Sequence, residues 1–169
     1  MPTETTLNAQ FSNPDAEPTP WETARAALDV AKTYWLTTVR ADGRPHATTV
    51  AGVWLDDAFH FVTGRSERKA RNLTAGNANV LVITGSNGWD GLDVVIEGRA
   101  VLVPDPRKLA RLGEAFTAKY DDFFGLRLVG DRLEGAGTVD ELLAFEVRAS
   151  KGFGFGKGAT FSQTRWRFV

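Results

Sequence analysis

Hydrophobic positions acquire a period only after about residue 19. Before that the chain is polar and dotted with Pro2, Pro14 and Pro18. A segment of this kind buries too little apolar surface to offset its ordering entropy, so residues 1–19 are expected to form a mobile tail. In TPWETARAALDVAK, Trp21, Ala24, Leu28 and Ala31 recur at helical spacing. Thr19 as cap, Pro20 in the first turn and Glu22 as the far side of a capping box mark the start of that helix. The period then drops to two. YWLTTVR, HATTVAGVW, AFHFVT, NVLVITG, LDVVIEGRAVLV and LLAFEVR read as strands, with a tight hairpin at Asp42-Gly43 and a looser one at Asp56-Asp57.

Two more helices interrupt the strands. SERKARNLTA is the first. The second is DPRKLARLGEAFTAKY, with Asp105 as cap, Pro106 in its first turn, and Leu109, Leu112, Phe116 and Tyr120 on one face. The glycine-rich stretch from Gly125 to Glu141 has little pattern and reads as loop. Six or so strands with short connections predict a mainly β fold: an antiparallel sheet closed into a barrel with peripheral helices, and not a doubly wound parallel sheet. The expected organisation is the tail to residue 19, a barrel over residues 20–148, and a C-terminal segment, 149–169, packing near the site.

Composition narrows the chemistry. Twenty basic and 21 acidic residues leave a net charge of -1, so any basic site is local. The chain has no cysteine, which removes disulfides, thiolate metal sites and thiol nucleophiles. No apolar run approaches the roughly 20 residues of a membrane span, and the N-terminus lacks the pattern of a signal peptide. A cytoplasmic protein with no membrane partner is expected.

HFVTGRSERKARNL places Arg65, Arg68, Lys69 and Arg71 within seven positions, where a strand runs into a helix. If Ser66 caps that helix, Arg68 and Lys69 fall in its first turn, where the dipole disfavours cations. Two readings follow from the window alone: an anion such as phosphate sits among these groups, or the helix is merely solvated, with Glu67 and Arg71 paired four residues apart. GFGFGKG lacks the spacing of a phosphate-binding loop and reads as a cover over a ligand or as a linker. His46 and His60 read as packing or surface histidines, with no metal-ligand spacing around them. No paired hydrolytic carboxylates and no nucleophile elbow are present. If the chain is an enzyme, a cofactor carries its chemistry.

The run from Trp35 to Thr84, with its strand, DGxP turn, second strand, third strand ending in an aromatic and Thr, and SERKARNL helix start, resembles the pyridoxamine 5'-phosphate oxidase-like, FMN-binding split barrels and their deazaflavin-dependent relatives. The resemblance implies a split β-barrel that binds FMN or coenzyme F-420. Thr63, Ser66, Arg68 and Lys69 would hold the cofactor phosphate, with Asn72 nearby. His46, Ala47, Thr48, Thr49 and Val50 would lie along the ring. It also implies a homodimer with the sites between subunits, in which Trp166 and Arg165 or Arg167 would complete the partner's site, and Trp166, Phe153 and Phe155 would form aromatic walls. His46 and Ala51 stand where true pyridoxamine phosphate oxidases carry Arg and Lys, and TRWRF lacks their Arg-x-His signature. The expected activity is therefore oxidoreduction of a small conjugated molecule other than the B6 vitamer. Arg65, Arg71, Lys151 and Lys157 are extra cations suited to a long anionic tail. The alternatives are a cofactor- or haem-binding split barrel without turnover and, ranked below it, a single-stranded nucleic-acid surface on the C-terminal aromatic and cationic residues; no nucleic-acid partner is expected.

Overall fold

The strand expected over residues 46–54 is bent in two, and that bend organises the fold. In the computed structural model, which describes residues 1–138 and 140–169, the elements are β1 (Glu4–Leu7), α1 (Trp21–Val30), β2 (Tyr34–Val39), β3 (Pro45–Val50), β4 (Val53–Leu55), β5 (Ala58–Gly64), α2 (Arg68–Thr74), β6 (Asn79–Thr84), β7 (Gly91–Leu102), α3 (Pro106–Tyr120), β8 (Arg127–Val129), β9 (Arg132–Glu134), β10 (Leu142–Lys157) and β11 (Ser162–Arg167). β3 pairs with β2, whereas β4 pairs with β5. The switch occurs at Ala51-Gly52. A Cβ on Gly52 would sit 2.2 Å from the Phe59 ring, so only glycine lets the chain turn this close to β5. Tyr120, at the end of α3, fixes the corner: its hydroxyl accepts from Gly52 N–H at 2.9 Å and lies 2.9 Å from the Gly52 carbonyl.

Every ladder is antiparallel, and the fold is mainly β with the split-barrel arrangement the sequence predicts. The hydrogen-bonded order runs β3-β2-β6-β7-β10-β5-β4, and the ladder itself does not close. The chain completes the circuit at the Ala51-Gly52 bend. Inside lie Tyr34, Leu36, Phe59, Phe61, Val82, Val94, Ile96, Phe145 and Val147, covered by Trp21, Ala24 and Leu28 of α1. These are the alternate positions of the strands and the apolar stripe of the first helix, as the periodicity requires. A second core packs Leu109, Leu112 and Phe116 of α3 against Leu126 and Leu133 of the β8–β9 hairpin. That hairpin lies where the sequence predicts loop. Its strands are three residues each, too short to carry a readable alternation.

The two chain ends also differ from expectation. Residues 4–7 form β1, which pairs with β11 from Glu4 opposite Arg167 to Leu7 opposite Thr164. The segment gains order from a backbone ladder, which side-chain hydropathy does not report. GFGFG is neither cover nor linker: it is the second half of the 16-residue β10. A Cβ on Gly154 would lie 2.4 Å from the Trp166 ring, and one on Gly152 3.1 Å from it. The glycines point inward to admit the indole, and Phe153 and Phe155 point outward. Both helix starts are shifted as well. Pro20 caps α1, and Thr19 instead donates its N–H to Thr164 Oγ1 at 2.8 Å. Glu67, not Ser66, caps α2. Among the described residues no helix is long and apolar enough to cross a membrane.

Candidate functional site

Three elements meet where β5 ends: the Thr63–Glu67 turn, the first turn of α2, and β3. Lys69 and Asn72 are buried, and Arg68 is exposed. The turn already holds carboxylates. Glu67 Oε1 accepts from Thr63 Oγ1 at 2.9 Å and from Gly64 N–H at 3.1 Å, and its other oxygen meets Lys69 Nζ. Burial works to raise the Glu67 carboxyl's pKa, but Lys69, Gly64 and Thr63 together hold it below the usual range. Asp140 reaches the same turn and accepts from Ser66 N–H at 2.8 Å and Ser66 Oγ at 2.6 Å. Gly64 leaves room for this, since a Cβ there would lie 2.4 Å from Asp140 Oδ2. Arg65 forks onto Glu141, with one nitrogen 2.9 Å from Oε1. Of the donors that the resemblance assigns to a phosphate, Thr63, Ser66 and Lys69 are engaged by carboxylates of this chain, whereas Arg68 has none at ion-pair distance among the described residues. Glu67 pairs with Lys69 rather than with Arg71.

β3 borders this corner as the end strand of its ladder. Its residues alternate: Ala47 and Thr49 are exposed, His46 and Thr48 half-buried, and Val50 belongs to the core. His46 is pushed down from the ordinary imidazole pKa by burial and by Arg40, Lys69 and Arg68. Its Nδ1 is buried without a hydrogen-bond partner, as is Arg40 Nε. Asn72 Nδ2 donates to Thr38 Oγ1 at 2.9 Å, fastening α2 to β2. His60 is sealed in the interior, its Nδ1 3.1 Å from the Ala58 carbonyl. Its Nε2 lies 3.4 Å from Glu146 without forming a hydrogen bond. His60 is a packing histidine.

Thr63, Arg68, Lys69, Asn72 and His46 are thus brought together. Within one subunit Arg165 and Trp166 are not, and the resemblance gives them a place at a partner's site. β10, β7, β6 and β2 stand between β11 and β3 in the ladder. Trp166 is fully buried in the core, where its Nε1 donates to Thr19 O at 3.1 Å, so it has no surface to offer a ligand. Its neighbour Arg165 points to the opposite face, toward Glu4 at 3.9 Å. Lys157 donates to Ser86 O, Gly88 O and Asp93 Oδ1 at 2.8–2.9 Å, and Lys151 pairs with Glu97 at 3.0 Å, so neither extra cation is free. On the outer sheet face, Trp35, Ile83, Asp93, Val95 and Phe155 line a cavity of about 600 Å³. Sequence reasoning missed four contributions: those of the acids Glu67, Asp140 and Glu141, and that of Arg40. Glu67 carried a signal, being an acid just before a basic helical turn. Asp140 and Glu141 carried none, because they arrive from more than 70 positions away.

No curated protein matches the chain closely enough to count as a relative. Several solved structures share the fold. A conserved hypothetical protein of Mycobacterium tuberculosis is 20% identical, with a TM-score of 0.65 over 85% of this chain and 88% of that one. An F-420 reductase is 22% identical, with a TM-score of 0.55 over 76% and 94%. The haem storage protein HutZ of Vibrio cholerae is 20% identical, with a TM-score of 0.59 over 82% and 92%. The pyridoxamine 5'-phosphate oxidase family model matches residues 20–145. That span holds the barrel strands from β2 through β7 and the start of β10 up to Phe145, the Ala51-Gly52 corner and the whole α2 turn, and on it the chain belongs to the pyridoxamine 5'-phosphate oxidase-like family.

Proposed function

We propose that the chain is a flavin- or deazaflavin-dependent oxidoreductase that uses FMN or coenzyme F-420 on a small conjugated substrate. The observation that carries this reading is geometric: Arg40 and Arg68 line one concavity with Asn72, and Arg40, Lys69 and Arg68 all lie near enough to His46 of β3 for their charges to add to the effect of its burial. The residues present fit a phosphate-bearing ligand, because Thr63, Gly64 and Lys69 already gather a carboxylate. Arg68 and Lys69 would hold the phosphate, with Thr63 donating its hydroxyl and Glu67 giving way. The β3 edge would offer backbone groups to the ring, over the small side chains of Ala47 and Thr49. When bound, the ring supplies two-electron exchange with the substrate; the protein's part is capture, orientation and exclusion of water. A homodimer built on the outer sheet face, where Trp35 is exposed and Phe153 and Phe155 half-buried, would supply the second wall.

The test is to express the chain in a host that makes both coenzymes and to identify by mass spectrometry what copurifies. FMN or F-420 at about one per chain, reducible by a cellular donor and reoxidised by a quinone-like acceptor, is the expected result. A protein that carries neither and binds neither rejects the reading. The similarity to a haem storage protein supports a second reading, haem binding without turnover. His46 is then the one accessible imidazole, because His60 is sealed. Haem uptake abolished by His46→Ala would favour it.

A further inference from the structure

The lysines of this chain are not held alike. Lys69, Lys108, Lys151 and Lys157 each have a carboxylate at ion-pair distance. Lys32 is exposed and donates to the Lys119 carbonyl. Lys119, in the last turn of α3, is half-buried and has no carboxylate at ion-pair distance among the described residues; its Nζ donates to a neutral hydroxyl, that of Tyr34, at 2.6 Å. The acid whose charge reaches it, Asp29, is already paired with Arg25. The same nitrogen lies 5.0 Å from the centre of the Tyr34 ring and 5.7 Å from that of Tyr120. An ammonium placed here gives up much of its hydration for a hydroxyl and two ring faces. Burial pushes the Lys119 pKa down to about 8, with Lys32 and Arg25 adding to the fall and Asp29 opposing it. Burial also holds the Tyr34 and Tyr120 phenols above their ordinary value, so both face the amine uncharged.

We infer that Lys119 is a nucleophilic amine that accepts acyl groups from small acyl phosphates. The Tyr34 hydroxyl donates its own proton to the Leu28 carbonyl, so it can only accept from Lys119. A neutral amine that donates one N–H to Tyr34 keeps its lone pair free to attack. A desolvated lysine beside other cations is the arrangement that makes an amine reactive near neutral pH. Arg25 and Lys32, at the same junction of α1 with β2, favour a donor that arrives as an anion. In the step, the nitrogen bonds to the acyl carbon and the bond from that carbon to the phosphate oxygen breaks. Inorganic phosphate leaves with the electron pair, and the amine's proton passes to water. The amide that forms is uncharged, so acylation removes the ammonium from the faces of Tyr34 and Tyr120. The site shares no residue with the proposed cofactor seat and stands whether or not a redox ring binds there.

The test treats the purified full-length chain with acetyl phosphate near neutral pH, to low conversion, and reads acetylation at each lysine by peptide mass spectrometry. Lys119 should react at least tenfold faster than Lys32 and than the carboxylate-paired lysines, and the preference should vanish in the urea-unfolded chain. Its rate should rise about tenfold per pH unit below neutrality and level off above about pH 9, as the lowered basicity requires. Arg25→Gln removes one cation and frees Asp29 to face the amine, so it should slow Lys119 at least threefold while leaving Lys108 and Lys151 unchanged. The neutral donor p-nitrophenyl acetate should show a smaller preference for Lys119. Acetylation of Lys119 no faster than that of Lys32, or an equal preference in urea, overturns the site. A preference at least as large with the neutral donor overturns acyl phosphates as its substrate class.

Discussion

Two stretches of this chain mix cations with other strong signals, and the fold treats them in opposite ways. Residues 63–72 leave Arg68 and Arg71 exposed around a concave corner beside the end strand β3. Residues 151–167 turn their aromatics and cations into structure: Trp166 fills the core over Gly152 and Gly154, and Lys157 ties down the loop at Ser86 and Gly88. The same residue types serve a surface in one place and packing in the other. What separates them is sheet position. β10 is paired along both edges and its inward glycines admit Trp166, whereas β3 ends its ladder and leaves Ala47 and Thr49 exposed.

The comparison breaks most visibly at Trp166. Trp166→Ala should lower unfolding free energy by about 3–5 kcal/mol, as large core truncations do, measured by urea denaturation. The folded fraction should bind FMN as before. A stable variant that has lost ligand binding would move Trp166 back to the site. Lys157→Met comes next. It removes several hydrogen bonds to the 86–93 segment and should cost about 1–3 kcal/mol, with hydrogen exchange in that segment rising at least tenfold and no change at α2. Uniform exchange along the chain would show that Lys157 does not anchor the loop.

Glu67 gives the smallest effect on stability and the sharpest contrast. Its folded pKa lies below its unfolded value, so the stabilisation is present above the ordinary carboxylate range and is lost as pH falls through that range toward the folded value. Solvent screening of a side chain that is half exposed keeps the term below about 1 kcal/mol. Glu67→Gln should lose that acid-range slope and should bind phosphate-bearing ligands about three- to tenfold more tightly, because the tethered competitor is gone. Weaker phosphate binding in this variant would mean that Glu67 shapes the corner and does not compete for it.

Much of the barrel was legible because its physics is local. The alternation in Tyr34–Val39, the Asp42-Gly43 turn, and the Asp105 cap with its α3 stripe are written within a few residues of where they act. Gly43 adopts the left-handed φ of 82° that such a turn demands. The bend at Gly52 was not legible, since it is required by Phe59 on another strand. The order in β1 was hidden for a related reason: its partner, β11, lies at the other end of the chain. At the site, the cations were readable as a cluster, but which of them stay unpaired depended on Asp140 and Glu141, brought there by the β5–β10 ladder. Sequence spacing found the charges, and only tertiary pairing separated Arg68 from Arg65.

The central claim is that Arg68 and Lys69 seat the anionic group of a redox cofactor beside β3. Its most direct test is the equilibrium affinity of the purified protein for FMN and for riboflavin, which lacks the phosphate, in the natural chain and in Arg68→Ala/Lys69→Ala. The account predicts that FMN binds at least tenfold more tightly than riboflavin and that the double variant erases this preference while remaining folded. Equal FMN affinity in the two proteins would contradict it.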